Sequence, residues 1–446
     1  MKLLFILPEY LPHHGGGIVT FYEALLPELV RQGHEVEVLV GSAFTMDEAP
    51  YERDGVRVSF LEGDRFHRYL DQFVHYAPLP ELRRHLAAAW AMHEQATEGA
   101  DCDLVEAVDW GLLFVPWVAK ASVPIAVQLH GSAGQIDFRD PSPGTALQGH
   151  VTRLIEAEVL RAAPGLHTHS SINVAEWEGV TGRPVTYLAP PLPQASPEPR
   201  PRSDRGLVVG RIQQWKGPAV LCEALRSMGE DAPDVDWVGR DTVFGESNGS
   251  MDAYLRATYP DVWGTTVTTV GQVPPSRVAQ LQEEAGFVIV PSLWDVFNLT
   301  AVEAMQHGAV VVCSTGAGAA DLIEEGENGF TFPVGDAEAL ADQLRAVQSL
   351  TPDEKASIAA AAQRTVRDVL DPATVAADKV AAYRAETETG APFVLSPWVK
   401  AAVQPAPVSH RASSPGSDLA FLDHQPLGGI LDYTFRRLRT KLTPGR

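Results

Sequence analysis

At 446 residues the chain is longer than the roughly 250–300 residues at which single cores stop growing, so two or three domains are expected. Its 45% hydrophobic and 21% charged residues are those of an ordinary globular protein, and a formal charge of −22 argues against binding a nucleic-acid backbone while allowing one small basic pocket. Three scattered cysteines, Cys102, Cys222 and Cys313, offer neither a disulfide framework nor a zinc knuckle, so a cytoplasmic setting is expected.

Lys2–Leu7 opens the chain as a short apolar strand, too short for the apolar region of a signal peptide. No run approaches the roughly 18 apolar residues of a membrane span. Residues Ile18 to Gln32 carry Phe21, Leu25 and Leu29 at helical spacing, and Gly33 stops the helix. Strands follow at Glu35–Val40, Asp103–Val108 and Ile125–Leu129. The pattern then restarts at Gly206–Val209, Val235–Val238, Thr266–Val270, Gly286–Val290 and Ala309–Cys313. Strands apolar on both faces, alternating with helices, imply parallel sheets covered on both sides. Two Rossmann-like domains are therefore expected, residues 1–190 and 206–371. The proline-dense stretch 191–205 acts as the hinge between them.

After residue 390 the composition turns to Pro, Ser and Ala with little periodicity, which reads as loosely attached chain. Residues 390–446 hold seven basic and three acidic residues, so this tail carries +4 and the remainder −26. Its basic, partly apolar end could lie on an anionic membrane surface, but the favoured reading is a solvated tail folding on its own acidic body.

Ligands of open α/β sheets bind beyond the carboxyl ends of the strands, and the informative residues lie there. Arg211 and Lys216, on a glycine-flanked loop after Gly206–Val209, can converge on one diphosphate, Arg as a planar fork and Lys as a point charge. After Gly286–Val290 the chain reads Asp295, Val296, Phe297, Asn298, Leu299, Thr300. This places Leu299 and Thr300 at a helix N-terminus that favours an anion, and Asn298 tolerates positive φ. Glu303 stands three residues after Thr300, which is also the spacing of a capping box.

In the first half, Gly15, Gly16 and Gly17 precede a helix and offer unhindered backbone donors, though without the spacing of a dinucleotide fingerprint. His130 follows Ile125–Leu129 and should point into the cleft. A satisfied structural histidine is the competing reading. Asp109 is either a substrate contact or a helix cap. His13-His14 and His167-Thr-His169 have the look of metal pairs, but nothing in the sequence completes either site.

Over roughly residues 1–385 these motifs resemble, in order and spacing, the family-4 glycosyltransferases, the retaining family of GT-B fold. The matching stretches are the Gly15–Gly17 loop, Gly33-His34-Glu35-Val36, His130-Gly131, Gly210-Arg211 with Lys216-Gly217, Val238-Gly239, Gly271-Gln272-Val273-Pro274, and Pro291-Ser292 leading to Glu303. The resemblance implies that Arg211 and Lys216 hold the pyrophosphate of a nucleotide-sugar donor and that Glu303 binds its ribose. It also implies that His130 contacts the transferring sugar, that Val273 faces the base through its backbone, and that the glycine loop closes over donor or acceptor. Donor binding is thus expected from Gly16, Gly17, Gly239, Val273, Phe297, Asn298, Leu299, Thr300 and Glu303 beside the catalytic set His130, Arg211, Lys216 and Asp295. No cofactor or metal is implied, because cations and helix dipoles neutralise the leaving group. The helix over 372–389 is expected to cross back to the first domain.

Two positions depart from the family signature Glu-x7-Glu: Asp295 stands where the first Glu belongs, and Asn298 replaces the usual glycine. The acceptor implied is a glycan, a lipid-linked glycan or a small alcohol. The rivals are a phosphate-using sugar phosphorylase or synthase of the same fold, a non-catalytic sugar-nucleotide-binding module, and a sugar-nucleotide epimerase.

Overall fold

The computed structural model describes residues 1–13, 16–97, 102–139, 146–195, 200–244, 249–389 and 394–406. The first half runs β1 (Lys2–Leu7), α1 (Gly17–Arg31), β2 (Glu35–Val40), β3 (Tyr51–Arg53), β4 (Val56–Phe60), α2 (Gly63–Gln72), α3 (Pro80–Thr97) and β5 (Leu104–Val108). It continues with α4 (Val115–Lys120), β6 (Ile125–Leu129), α5 (Ala133–Arg139), α6 (Ala146–Ala162), β7 (Gly165–Thr168), α7 (Ser171–Thr181) and β8 (Thr186–Tyr187). The second half runs β9 (Gly206–Val209), α8 (Pro218–Met228), β10 (Val235–Val238), β11 (Val243–Phe244), β12 (Gly249–Ser250), α9 (Met251–Thr258), β13 (Val267–Gly271) and α10 (Pro275–Glu284). Then come β14 (Phe287–Val290), α11 (Leu299–Gln306), β15 (Val311–Ser314), β16 (Phe330–Phe332), α12 (Ala337–Ser349), α13 (Pro352–Val369), α14 (Pro372–Thr389) and α15 (Pro397–Val403).

The first sheet has the order β3-β4-β2-β1-β5-β6-β7-β8 and the second β13-β10-β9-β14-β15-β16. Every pairing in them is parallel except β3 with β4. This is the doubly wound α/β architecture that the all-apolar strands implied, because β5, β6, β14 and β15 are buried along their whole length. In such a sheet the strand order reverses at one point, and the loops on either side part to leave a crevice. The reversal falls between β1 and β5 in the first half and between β9 and β14 in the second.

Two stretches are held more firmly than their composition suggests. In the proline-rich stretch 191–205, Leu192 is buried and its N–H bonds the Leu370 carbonyl at 2.9 Å. Arg202 donates to the carbonyls of Gln282, Ala285 and His307. Residues 394–405, expected to be loosely attached, instead include α15 and pack on the first half: Leu395, Val399 and Val403 are buried. Trp90 Nε1 donates to the Val403 carbonyl at 2.7 Å. The physical reason is an apolar stripe at i, i+4, i+8, too short to stand out among Pro and Ser. Residues 390–393 and 407–446, including the basic end of the tail, lie outside the described residues.

The chain crosses between the halves at α14. Val366 and Leu370 of α13 and its end belong to the core of the second half, whereas Val375, Ala376, Val380 and Tyr383 of α14 are buried in the core of the first.

Candidate active site

The crevice of the second half is built by two loops that glycine allows to touch. After β9 the chain passes Gly210 and the exposed Arg211, makes a 3₁₀ turn over Gln214–Lys216, and reaches Gly217 at φ 73°. A Cβ on Gly217 would lie 1.8 Å from the Pro291 carbonyl oxygen, so only glycine lets this loop lie against the one after β14. Gly239, at the end of β10, is as constrained: its Cβ would meet the Gly210 carbonyl at 2.0 Å. The result is a small cavity lined by Gly210, Lys216, Trp237, Pro291, Ser292 and Asn298, among others.

Lys216 and Asp295 form an ion pair at this cavity, with side chains 18% and 14% exposed. Asn298 binds the same carboxylate, its Nδ2 lying 3.0 Å from Asp295 Oδ2. Asn298 has φ 73° and ψ 78°, the left-handed conformation expected for it, and its Oδ1 accepts from Ala301 N at 3.2 Å. Asn298 is therefore the N-cap of α11, so the rival capping-box reading of Thr300 and Glu303 does not hold. An αL asparagine reaches the N3 amide first, and this leaves the Glu303 carboxyl out of the cap. Burial raises the Glu303 pKa, with a hydrogen bond from Gln282 pulling it back. Leu299 and Thr300 open the helix, where first-turn N–H groups have no partner within the helix. Val273 follows β13 and is half-buried against the core of the second half.

On the facing side, His130 stands at the carboxyl end of β6. The Asp109 carboxylate accepts the N–H of His130 at 3.0 Å and of Gly131 at 3.1 Å, so Asp109 holds this loop rather than capping a helix. Burial pushes the Asp109 carboxyl up to about 7 against those N–H bonds. The His130 ring packs edge-on to Phe21, centroids 4.8 Å apart, and its Nε2 is buried without a hydrogen-bond partner. Burial, with His169 and Lys379 adding to it, holds His130 well below the ordinary histidine range, so the ring is neutral.

The two halves meet here. A Cβ on Gly17 would lie 3.5 Å from Leu299, and one on Gly131 would lie 3.2 Å from Val296. The Phe297 ring, buried, packs on His169 at 5.7 Å. Ser171 N and Oγ both donate to Asp321, at 2.9 and 2.7 Å. The structure thus brings His130, Gly17 and the Asp295–Thr300 segment to one seam, with Lys216 behind it. Gly16 is the N-cap residue before α1, next to Gly17, while Gly15 and His14 lie outside the described residues. His167 and His169 do not converge on a third ligand. His167 faces Glu386 and His169 faces Gln128, and among the described residues no three His, Cys, Asp or Glu groups could hold a metal ion.

Sequence reasoning missed the aromatic wall of this seam. Trp215 and Trp294 each precede a site residue in the chain, and their rings lie 5.7 Å apart. Arg139 from the facing half sits 4.1 Å over Trp294. Adjacency to Lys216 and Asp295 was the available signal.

Residues 203–349 match the family described as "Glycosyl transferases group 1", and residues 16–176 match the "Glycosyl transferase 4-like domain". The chain belongs to the family-4 glycosyltransferases. A D-inositol 3-phosphate glycosyltransferase of Pseudarthrobacter chlorophenolicus is 33% identical over 150 residues, 33% of this chain and 34% of that protein. Its Arthrobacter sp. counterpart is 26% identical over 362 residues, covering 74% of this chain and 82% of the relative. Among solved structures, sucrose-phosphate synthase from Thermosynechococcus elongatus superposes with a TM-score of 0.64 at 19% identity, covering 86% of this chain and 99% of that one. Anabaena HepE in complex with UDP-glucose superposes at 0.60 with 17% identity, covering 86% and 100%. These likenesses establish the GT-B fold for this glycosyltransferase-family chain. No described helix is long and apolar enough to cross a membrane.

Proposed function

We propose that the chain is a retaining hexosyltransferase that moves the sugar of a UDP-sugar to a hydroxyl of a polyol or sugar acceptor. The observation that carries this reading is the meeting of Lys216, Asp295 and the N-terminus of α11 at the strand-order reversal of the second sheet. Lys216 and Arg211 grip the diphosphate, and the first-turn N–H groups of Leu299 and Thr300 add the positive end of the helix dipole. Glu303 accepts the ribose hydroxyls, the backbone at Val273 faces the base, and Gly239 lets the chain pass close to the nucleotide. Gly16 and Gly17 cover the donor beside Phe297 and Leu299. His130, neutral, hydrogen-bonds the sugar through the nitrogen that lacks a partner. Asp295 turns from Lys216 to the sugar hydroxyls when the diphosphate takes the ammonium.

Transfer breaks the bond between the anomeric carbon and the diphosphate oxygen and forms one to the acceptor oxygen on the same face. The departing phosphate takes the acceptor's proton. The positive groups lower the barrier by stabilising charge on the leaving group as it develops. Uridine as the base is supported by the UDP and UDP-glucose complexes of HepE. A polyol or sugar acceptor, phosphorylated or free, is supported by the relatives' name and by a trehalose-phosphate synthase bound to glucose-6-phosphate.

The test is a screen of UDP-, GDP- and ADP-hexoses against polyol and sugar acceptors, with the anomeric configuration of the product read by proton NMR. Expected are UDP release, an α-linked product from an α-linked donor, and a 10- to 150-fold fall in kcat/KM for Lys216→Ala, which removes a charge-assisted bond worth about 1.5–3 kcal/mol. Phosphate-dependent cleavage of a disaccharide without nucleotide would move the chain to the phosphorylases. Full activity of folded Lys216→Ala with every donor would end the proposal.

A further inference from the structure

Beneath the His130 loop lies a chain of buried polar groups that the transfer chemistry leaves unused. Glu106 on β5 and Lys379 on α14 form an ion pair whose side chains are both shut off from solvent. Tyr22 and Tyr383 donate their hydroxyls to the same carboxylate, at 2.7 and 2.6 Å. Lys379 also donates to Gln128 Oε1 at 2.7 Å, and Gln128 Nε2 lies 3.2 Å from His169 Nδ1. The His169 ring packs against His130, centroids 5.1 Å apart, and against Phe297 from the other half. The wire therefore runs from the crossover helix through two strands to the seam.

Each link fixes the next. An ammonium has only hydrogens to offer, so Gln128 must turn its oxygen to Lys379 and its NH₂ to His169. Receiving a donor, His169 Nδ1 must be the bare nitrogen. The ring proton is then on Nε2, on the far side of the ring from Gln128. A buried ion pair is a poor way to gain stability, since well-packed apolar residues of the same volume often do better. Its place here is explained by what it orients.

We propose that His169 is a positioning residue of the transfer site, locked as the Nε2–H tautomer by Lys379 through Gln128, so that helix α14 sets the imidazole pair against which the sugar is held. This rests on the glycosyl-transfer reading above. Around the pair stand Phe21 and Tyr22 of α1, Asp109 after β5, Glu106, Lys379 and Phe297. Burial first keeps both rings neutral, and of these groups the Lys379 ammonium adds to it.

The full chain labelled with ¹⁵N-histidine reports each tautomer by long-range ¹H–¹⁵N NMR. Native His169 should carry its proton on Nε2. In Gln128→Glu the carboxylate can only accept, so the proton should move to Nδ1. In Gln128→Leu the two tautomers should mix. Both variants should lose about five- to tenfold in kcat with donor KM within about twofold. A native His169 protonated on Nδ1 overturns the proposal. So do variants that keep the native kcat, whatever their melting temperature, since the network would then serve the fold alone. If the native chain transfers no sugar, the functional reading falls while the tautomer result still judges the wire.

Discussion

Asp295→Asn separates the roles of the Lys216–Asp295 pair. The Asp295 carboxylate holds the ammonium that, on the proposed reading, grips the donor diphosphate, so binding should displace it. The asparagine keeps the size of the side chain and an oxygen for the Asn298 amide, but it removes the competing charge. With side chains 18% and 14% exposed, the pair lies between a screened surface bridge, about 1 kcal/mol or less, and a buried charge-assisted bond of about 1.5–3 kcal/mol. Taking about 1–2 kcal/mol, UDP should bind roughly 5- to 30-fold more tightly to Asp295→Asn than to the native chain. Sugar transfer by the same variant should fall, because the contact to the sugar hydroxyls weakens. Titration calorimetry with UDP and steady-state transfer with the UDP-sugar measure the two arms. Lys216→Ala should weaken UDP binding, and Lys216→Ala/Asp295→Asn should recover part of the loss, because the alanine strands a carboxylate beside the diphosphate. Weaker or unchanged UDP binding by Asp295→Asn, or a double variant that binds UDP no better than Lys216→Ala, would refute the reasoning.

Two further predictions concern buried charge. Lys379→Met leaves the Glu106 carboxylate unpaired and should cost about 3–5 kcal/mol in urea unfolding, most of it regained in Glu106→Gln/Lys379→Met; a single variant as stable as the parent would contradict this. Glu156, fully buried and bonded by Ser132 Oγ and Gly134 N, has its pKa pushed by burial from 4.5 up to about 8. Between those values the unfolded chain has released a proton that the folded chain keeps, so this site's contribution falls as pH rises through the window, by on the order of 4 kcal/mol in all. Glu156→Gln should abolish that fall, so urea midpoints at pH 5 and pH 8 should converge relative to the parent; an identical pH dependence in both would show Glu156 ionised throughout.

Strands β1, β5, β6, β9, β14 and β15 were legible as apolar runs bounded by turn residues, and β2, β10 and β13 through their valines, whereas β7, β8, β11, β12 and β16, two to four residues long, were not read. Tyr51–Arg53 was invisible as a strand, being three residues with two charges, and Val56–Phe60, between it and β2, alternates but is only five long. The ends of β9 and β14 pointed to Lys216, Asp295 and Asn298 because ligand loops follow strands. The start of α11 was legible at Leu299, but the spacing of Thr300 and Glu303 left a capping box open as a rival, because backbone conformation at Asn298 decides which side chain reaches the amide. Lys379 is a different failure. It falls between Val375, Ala376 and Val380, Tyr383, on the buried stripe of its helix, and a lysine there is a signal that pattern reading passes over as a surface charge. Its partners come from strands more than 250 residues away, a distance only the fold closes.

The crystal structure of the chain soaked with UDP tests the central claim most directly. The account predicts the β-phosphate within about 3 Å of Lys216 Nζ and of a first-turn N–H of α11, with the Asp295 carboxylate released from the ammonium. A nucleotide bound elsewhere, or a diphosphate that leaves the Lys216–Asp295 pair intact, would contradict it.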